Sequence, residues 1–270
     1  SGHKNNWLIN KYAISIVPSI YSYVKSTDVS NIKKGLENGF IGIGNPILSG
    51  NLKRVNKNQL AEFVNTRGSI SKFVGEMAPL PETEQELSLI AKTFKKSSLV
   101  FGINATEKKI RELDLSQYSV ISFATHALVS NEIEGVVEPS LILTPVDESD
   151  PANDGLLTAA EISSLKLNAD IVLLSACNTA SSFGDSNSQG LSGLANSFFD
   201  AGAKSLLVSY WSIISESAVD ITTRIFKPSN AGRSYAHKHR SAVLDLLNTS
   251  KDLYKGHPSY WAPFSVIGTN

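Results

Sequence analysis

The sequence predicts an α/β fold in which a mostly parallel central sheet lies between two layers of helices. Seven short apolar runs bounded by turn residues recur along the chain, with helical patterns between them. Two of these runs, residues 171–174 and 206–208, are apolar at every position, as in strands that helices cover on both faces. We therefore expect them to be central strands of a three-layer α/β/α sandwich.

Each predicted strand is a short apolar run that ends at a turn or polar residue. In chain order the runs are Tyr12–Val17, Phe40–Gly44, Ser98–Gly102, Val120–Phe123, Ile171–Ser175, Ser205–Ser209 and Phe264–Gly268. The helical patterns that separate them would supply the crossover connections of a parallel sheet.

Two predicted helices begin at capping-box spacings, in which a Thr is followed three residues later by a Glu: Thr83 with Glu86, and Thr158 with Glu161. Three further stretches carry apolar residues at three- and four-residue spacing. The predicted helices run from Thr83 to about Phe94, Thr158 to near Leu165, Leu191 to Ala201, Ser217 to about Phe226 and Ser234 to Leu247.

Length, composition and charge exclude several classes of protein. A chain of 270 residues that is 41% hydrophobic can bury a substantial core. Lys plus Arg number 25 and Asp plus Glu number 25, so no overall field favours nucleic acid or an anionic membrane. No apolar run approaches the roughly 20 residues of a membrane helix. The charge balance and the absence of a long apolar run lead us to expect no direct nucleic-acid or membrane binding. The single cysteine excludes an internal disulfide, so we expect a cytoplasmic protein.

The chain is expected to consist of a short tag or linker remnant and one domain in two parts. Residues 1–6 start with Ser-Gly-His-Lys rather than Met, and we expect them to be a tag or linker remnant. Residues 7–110 form the predicted N-terminal part, and residues 111–270 the C-terminal, catalytic part. Residues 45–60 and 178–190, which are rich in Asn, Ser, Gly or Lys, are expected to be loops.

A histidine and a cysteine follow two of the predicted strands. His126 comes after the run 120–123, and Cys177 after the apolar run 171–174. In an open parallel sheet the functional crevice lies beyond the carboxyl ends of the strands, so both side chains are expected there. A free thiol is only a few per cent ionised at neutral pH and needs a neighbouring base to become a nucleophile. We expect His126 to be that base and to protonate the leaving amine, with the N–H groups of Ala127 and Cys177 stabilising the oxyanion.

The residues alone leave a core role for Cys177 open, because cysteine is among the most buried residue types. A buried His adds little to an apolar sheet unless it has a polar partner, which favours a shared function. His126 precedes Cys177 by 51 residues, close to the interval of about 50 residues in caspases. His237 and His239 are two residues apart in a predicted helix and point in different directions, so we expect surface residues and no metal. Gly42-Ile43-Gly44 lacks the third glycine and the following helix of a dinucleotide-binding motif, so we expect no cofactor.

Several ordered segments match one known family. They are PLPETEQE at 79–86, ATHA at 124–127, DGLLTAAEI at 154–162, LNADIVLLSACNTA at 167–180, GLSGLANSFFDAGAKSLLVSYW at 190–211 and HPSYWAPFSVIG at 257–268. In these segments the chain resembles the CHAT-domain family of caspase-like, clan CD cysteine peptidases, which are related to separases and often fused to tetratricopeptide repeats. The resemblance extends from about Trp7 to the end. It implies a caspase-like fold, with the family's histidine at His126 and its cysteine at Cys177.

The chain departs from the family pattern at two places. The family usually has Gly after the histidine, where this chain has Ala127. Any residue except Pro supplies the N–H, although a positive φ would strain Ala. The family's SLWxVDD segment reads SYWSIISES at 209–217 in this chain, which changes the charge near the expected substrate cleft.

Acidic residues near the cleft bear on substrate preference. In the wider clan the pocket for the residue before the scissile bond is often acidic and accepts Arg or Lys. Asp154, Asp185 and Glu216 are the candidates here, with Ser175 as a further substrate contact. The alternatives are that Asp154 fixes a turn before a glycine and that the other two acids are solvated.

The resemblance implies a cysteine endopeptidase that uses a His126–Cys177 dyad to cleave protein or peptide substrates. It also implies a regulated bacterial signalling or defence protease, fused in the full-length protein to a regulatory domain such as tetratricopeptide repeats. The alternative, from a different class, is a catalytically silent CHAT scaffold module that binds a partner peptide in the same cleft.

Overall fold

The computed structural model describes the greater part of the chain. The described residues are 7–17, 39–48, 74–75, 77–128, 130, 136–146, 150, 152–175, 190–210 and 215–268. The predicted tag or linker remnant at 1–6 lies outside them, as do the predicted loops at 45–60 and 178–190 except at their ends.

The strands of the described residues form two sheets. In chain order they are β1 (Ser15–Ile16), β2 (Phe40–Pro46), β3 (Ser97–Gly102), β4 (Val120–Ala124), β5 (Ala127–Leu128), β6 (Ser140–Ile142), β7 (Leu156–Thr158), β8 (Ile171–Leu174), β9 (Ser205–Ser209) and β10 (Phe264–Gly268). The larger sheet has seven strands in the order β1-β10-β9-β8-β4-β2-β3, and the smaller has the order β5-β6-β7. In the larger sheet all neighbours are parallel except β9 and β10, so the predicted mostly parallel sheet is confirmed.

Helices connect most of these strands. They are α1 (Glu82–Ala91), α2 (Glu107–Glu112), α3 (Ala159–Ser164), α4 (Gly190–Asp200), α5 (Ser215–Ile225), α6 (Tyr235–Thr249) and α7 (Pro258–Trp261). Short 3-10 turns lie at Leu8–Asn10, Leu115–Gln117, Pro228–Asn230 and Tyr254–Gly256. Within the described ranges, none of the helices combines the length and apolar character that crossing a bilayer requires.

The seven predicted strands are the seven strands of the larger sheet. β8 occupies its middle position and β9 lies beside it, as their continuous apolar runs predict. The predicted run 12–17 contributes only the two exposed residues of β1, at one edge. The sheet draws β1, β2 and β3 from residues 7–110 and the other strands from residues 111–270.

The core lies on both faces of the larger sheet, and β4 shows how its side chains divide. Ile121 and Phe123 belong to one buried cluster, which includes residues of α2, α3 and α4. Val120 and Ala124 belong to another, with residues of α1, α5 and α6. Alternate residues of a strand point to opposite faces, so the sheet has a helical layer on each side. The predicted three-layer α/β/α sandwich is confirmed.

One of the two predicted capping boxes is present. The hydroxyl of Thr158 accepts from the N–H of Glu161, whose carboxylate accepts from the N–H of Thr158. The box predicted at Thr83 and Glu86 is wrong, because α1 begins after Pro81 and has no side-chain cap. Thr83 instead donates its hydroxyl proton to the carbonyl of Leu80 at 2.7 Å. The carboxyl group of Glu86 is thereby available for contacts elsewhere in the fold.

Candidate active site

The parallel neighbours β4 and β8 end at the same edge of the sheet, and the two predicted catalytic residues follow these strands in the sequence. Phe123 is paired with Leu174, and the N–H of Ser175 donates to the carbonyl of Phe123 at 2.9 Å. His126 comes three residues after Phe123, and Cys177 comes three residues after Leu174. The 51-residue interval therefore equals the register between the two strands. Cys177 and Asp185 themselves lie outside the described residues.

His126 is held by contacts from two directions. Its carbonyl accepts from the N–H of Ile142 at 2.9 Å, at the start of the β5–β6 pairing. The preceding residue, Thr125, is fully buried and donates its hydroxyl proton to the carbonyl of Ile142. On the other side, the half-buried ring of His126 has its Nε2 2.8 Å from the carbonyl oxygen of Ala78. Main chain and ring are thus both positioned by the fold.

The contact with Ala78 selects a tautomer of His126. A carbonyl oxygen can only accept, so Nε2 carries the proton and donates it. In the neutral imidazole the other nitrogen, Nδ1, is then the one with a free lone pair. The geometry therefore makes Nδ1 the nitrogen that can take up a proton.

The backbone N–H of Ala127 is not used by the pairing of β5 with β6. Ala127 is opposite Leu141, and the hydrogen bond from Ile142 to His126 flanks this pair. Bonded and non-bonded pairs alternate along an antiparallel ladder, so the N–H of Ala127 points away from β6. Among the described non-glycine residues, only Asn45 has a positive φ, so Ala127 in place of the family's Gly is not strained in this way.

Glu86 is a buried acid near the end of β8 that the sequence did not predict as a site residue. Glu86 is 2% exposed and accepts from the hydroxyl of Ser175 at 3.2 Å, while the hydroxyl of Thr222 lies 3.2 Å from its other carboxyl oxygen. Burial raises the pKa of Glu86 to about 7. The burial of Glu86 could have been predicted, because Glu86 lies one turn after Thr83 on the buried stripe of α1 that continues through Ile90.

The start of α1 and the residues before it form hydrogen bonds with residues at or beyond the ends of three strands. Ala78 contacts the ring of His126, beyond β4. Thr83 accepts from the N–H of Asn45, near the end of β2, at 3.0 Å. Glu86 contacts Ser175, the residue after β8. A displacement of α1 would therefore disturb the contacts at all three strand ends.

The described candidates for the substrate pocket each have partners inside the protein. Asp154 accepts from the N–H of Leu156 at 2.9 Å, which is the geometry of a turn. Glu216 accepts from Lys255 Nζ and from the hydroxyl of Tyr254, each at 2.6 Å, and these bonds lower the pKa of Glu216. A substrate guanidinium would compete with these partners for the carboxylates of Asp154 and Glu216.

The turn that carries Asp154 is fixed by a second buried acid. Glu107 on α2 accepts from the N–H of Gly155 at 2.6 Å, and Gly155 has φ +91. Burial raises the pKa of Glu107 to about 8, with Glu161 and Asp154 adding repulsion. The hydrogen bond from Gly155 and the charge of Arg111 act in the opposite direction, because both favour the charged carboxylate.

The two histidines of α6 differ in exposure. His237 is exposed as expected, but the expectation that His239 lies on the surface is wrong, because it is 6% exposed. It shares the buried face of α6 with Tyr235 and Val243, four residues before and after it. Its Nε2 is buried without a hydrogen-bond partner, and burial lowers its pKa to about 4. Within the described ranges, no three His, Cys, Asp or Glu side chains are grouped so that they could hold a metal ion.

Comparison with known proteins gives one family match along the chain. The family model described as "CHAT domain" matches residues 1–269. Tetratricopeptide repeat protein 28 of Mus musculus is 26% identical over 237 residues, which cover 71% of this chain and 9% of the relative. The Homo sapiens protein of the same name is 27% identical over 232 residues, which cover 71% and 8%. The chain thus spans less than a tenth of the length of these curated relatives.

Two solved structures are similar over most of the chain. Their titles are "Crystal structure of the Arg specific cysteine proteinase gingipain R (RGPB)" and "Complex of Porphyromonas gingivalis RgpB pro- and mature domains". Each superposes with a TM-score of 0.49 and covers 92% of this chain and 51% of the other chain. The sequence identities are 10% and 8%.

Proposed function

The chain belongs to the CHAT-domain family, and from that premise we propose that it is a cysteine endopeptidase domain with Cys177 as nucleophile and His126 as general acid/base. The observation that supports this most is the common register of β4 and β8. His126 and Cys177 follow the paired residues Phe123 and Leu174 by the same number of positions. Parallel strands that leave a sheet side by side bring such residues to one crevice.

In the proposed reaction the thiol proton of Cys177 passes to Nδ1 of His126 as Sγ attacks the carbonyl carbon of the scissile peptide bond. The imidazolium then protonates the leaving amine nitrogen as the C–N bond breaks, which leaves a thioester on Cys177. His126 next takes a proton from the water that attacks the thioester. As the C–S bond breaks, the imidazolium returns this proton to the departing sulfur, which releases the acid product and restores the thiol. Throughout, Nε2–H donates to Ala78, so the ring keeps its orientation when it becomes charged.

The developing oxyanion is proposed to bind the backbone N–H groups of Ala127 and Cys177. The Ala127 N–H points away from β6 and is not used by the β5–β6 pairing, which supports this role. A single donor of this kind is worth roughly 100- to 1000-fold in rate. Neither donor depends on the identity of a side chain other than the exclusion of Pro.

Substrate and setting are the finer parts of the proposal. We assign the domain a protein or peptide substrate and a regulated role in bacterial signalling or defence in the cytoplasm, beside a regulatory domain of the tetratricopeptide-repeat type. The relatives, both tetratricopeptide repeat proteins by name, support such repeats. For the pocket we retain Asp154, Asp185 and Glu216, with Ser175 as a polar contact. Acid-to-amide variants screened on a peptide library identify the pocket by loss of preference for Arg or Lys.

The test uses the single cysteine of the chain, because a thiol-directed peptidyl electrophile can label only Cys177. Cys177→Ala is expected to abolish both cleavage and labelling. His126→Asn is expected to lower cleavage by about 100-fold or more. His237→Asn, a change at an exposed histidine, is the matched control and should cleave as the wild type does. Undiminished cleavage by the Cys177→Ala variant would sink the proposal, and an unlabelled Cys177 in every activating condition would favour the scaffold module.

A further inference from the structure

The carboxyl group of Glu86 joins the end of β8 to α5 through the hydroxyls of Ser175 and Thr222. We propose that Glu86 is a positioning residue, which holds the end of β8 against α5 by donating a retained proton to Thr222 while it accepts from Ser175. The consequence for catalysis rests on the proposed function. The consequence for the environment of Cys177 does not.

Among the described residues, no counter-charge balances the burial of the Glu86 carboxyl group. Within the described part of the chain, no Lys, Arg or His forms an ion pair with this carboxyl group. Glu82, one turn earlier on α1, adds a negative charge nearby. An ionised carboxylate in such a place is costly, whereas a neutral carboxylic acid that is fully hydrogen-bonded is not.

The hydrogen-bond inventory also favours a protonated Glu86. The hydroxyl of Thr222 lies 2.6 Å from the carbonyl of Ala218 and 3.2 Å from Oε1 of Glu86. A hydroxyl carries one proton, and the shorter contact with Ala218 is the better use of it. A proton on Oε1 would then be donated to Thr222 while Oε2 accepts from Ser175. In this arrangement each close contact has its own proton.

Other titratable groups near Glu86 are few. The strands β2, β3, β4 and β8 contain none. On α5, Glu216 and Asp220 are paired with Lys255, and Arg224 is paired with Asp245. Apart from Glu82 and Glu84 on its own helix, the described neighbours therefore leave Glu86 as the group that changes charge at this junction.

Ser175 links the carboxyl group of Glu86 to the segment that leads to Cys177. Its N–H is bound to Phe123 of β4 and its hydroxyl to Glu86, and Cys177 follows two residues later in the chain. When Glu86 ionises, its proton for Thr222 is lost and a charge is buried between α1, β8 and α5. We expect this junction to loosen, and the surroundings of Cys177 to change with it.

The test follows alkylation of Cys177 by iodoacetamide, which needs no peptidase activity, between about pH 5.5 and 9. Glu86→Gln copies the protonated acid, because its carbonyl accepts from Ser175 and its amide donates to Thr222. The ratio of its alkylation rate to that of the wild type is expected to be near one at pH 5.5. It should depart from one by about threefold or more above pH 8, where the wild-type acid is ionised. Glu112→Gln, an exposed change on α2, should give a ratio near one throughout.

Two further variants separate positioning from folding. Ser175→Ala removes the link itself with a minimal change in volume, and in this background Glu86→Gln should no longer alter the pH profile. Glu86→Leu removes both contacts and is expected to lower peptide cleavage by about tenfold to 100-fold. The inference is overturned by a Glu86→Gln profile that superimposes on the wild type, or by a difference that persists without the Ser175 hydroxyl. A wild type that cleaves no peptide would refute the proposed function and leave the alkylation profiles to decide on Glu86.

Discussion

The imidazole Nε2 of His126 lies 2.8 Å from the carbonyl oxygen of Ala78, 48 residues earlier in the chain. This contact orients the ring from outside β4, and it comes from the segment that leads into α1. The same helix contacts the end of β8 through Glu86. The geometry of the site therefore depends on how closely α1 packs over β2 and β4.

Gly44 tests this packing. A Cβ at this position would lie 2.8 Å from Leu87 Cδ1 and 2.9 Å from the carbonyl oxygen of Ala124. The backbone oxygen cannot move aside, so Gly44→Ala is expected to lower the free energy of unfolding by about 1–3 kcal/mol. Urea denaturation measures the change. Gly256→Ala, where nothing lies within 4 Å, should stay within about 0.5 kcal/mol of the wild type, and equal stability of the two variants would contradict the close packing.

Thr125 tests how the backbone of His126 is held. Thr125→Val keeps the shape but removes the hydroxyl that bonds the carbonyl of Ile142, in a fully buried place. We expect a loss of about 1–3 kcal/mol in the free energy of unfolding and a fall in kcat with little change in KM, because His126 is displaced rather than the substrate. Thr93→Val removes a hydroxyl bond to a carbonyl at an exposed site and should leave kcat unchanged. A normal kcat for Thr125→Val would show that this bond does not position the base.

Glu86 also predicts a pH dependence of stability. Burial raises its pKa from 4.5 to about 7, so the folded chain keeps a proton that the unfolded chain has released. The associated stability is complete below pH 4.5 and is lost as the pH rises to about 7. Relative to the wild type, Glu86→Gln should therefore gain on the order of 3 kcal/mol between pH 4.5 and pH 8. Denaturation curves across this range check it, and a constant difference would mean that Glu86 releases its proton at the same pH in the folded and the unfolded chain.

The larger sheet was predictable because buried parallel strands are continuous apolar runs, as in Ile171–Leu174, and the turn residues around them are local signals. The strands β5, β6 and β7 were not, because two or three residues are too few to show a period. His126 could be singled out by its place after a strand. The partners of Glu86 could not, since Ser175 is 89 residues away and Thr222 is 136 residues away. The spacing from Thr83 to Glu86 fits a local cap equally well, and tertiary burial decides against it.

His239 predicts the opposite dependence on pH. Burial lowers its pKa from 6.5 to about 4, so the unfolded chain binds a proton that the folded chain refuses. The contribution of the neutral His239 side chain to the free energy of unfolding is complete above pH 6.5 and is lost as the pH falls towards 4. His239→Leu has a similar volume, removes the unpartnered Nε2 and cannot titrate. The variant is therefore expected to gain on the order of 3 kcal/mol over the wild type between pH 7 and pH 4, measured by denaturation at each pH. His237→Gln, at the exposed histidine of the same helix, should keep the wild-type slope. If His239→Leu loses stability in acid as steeply as the wild type does, then His239 is protonated in the folded chain and its buried face of α6 admits water.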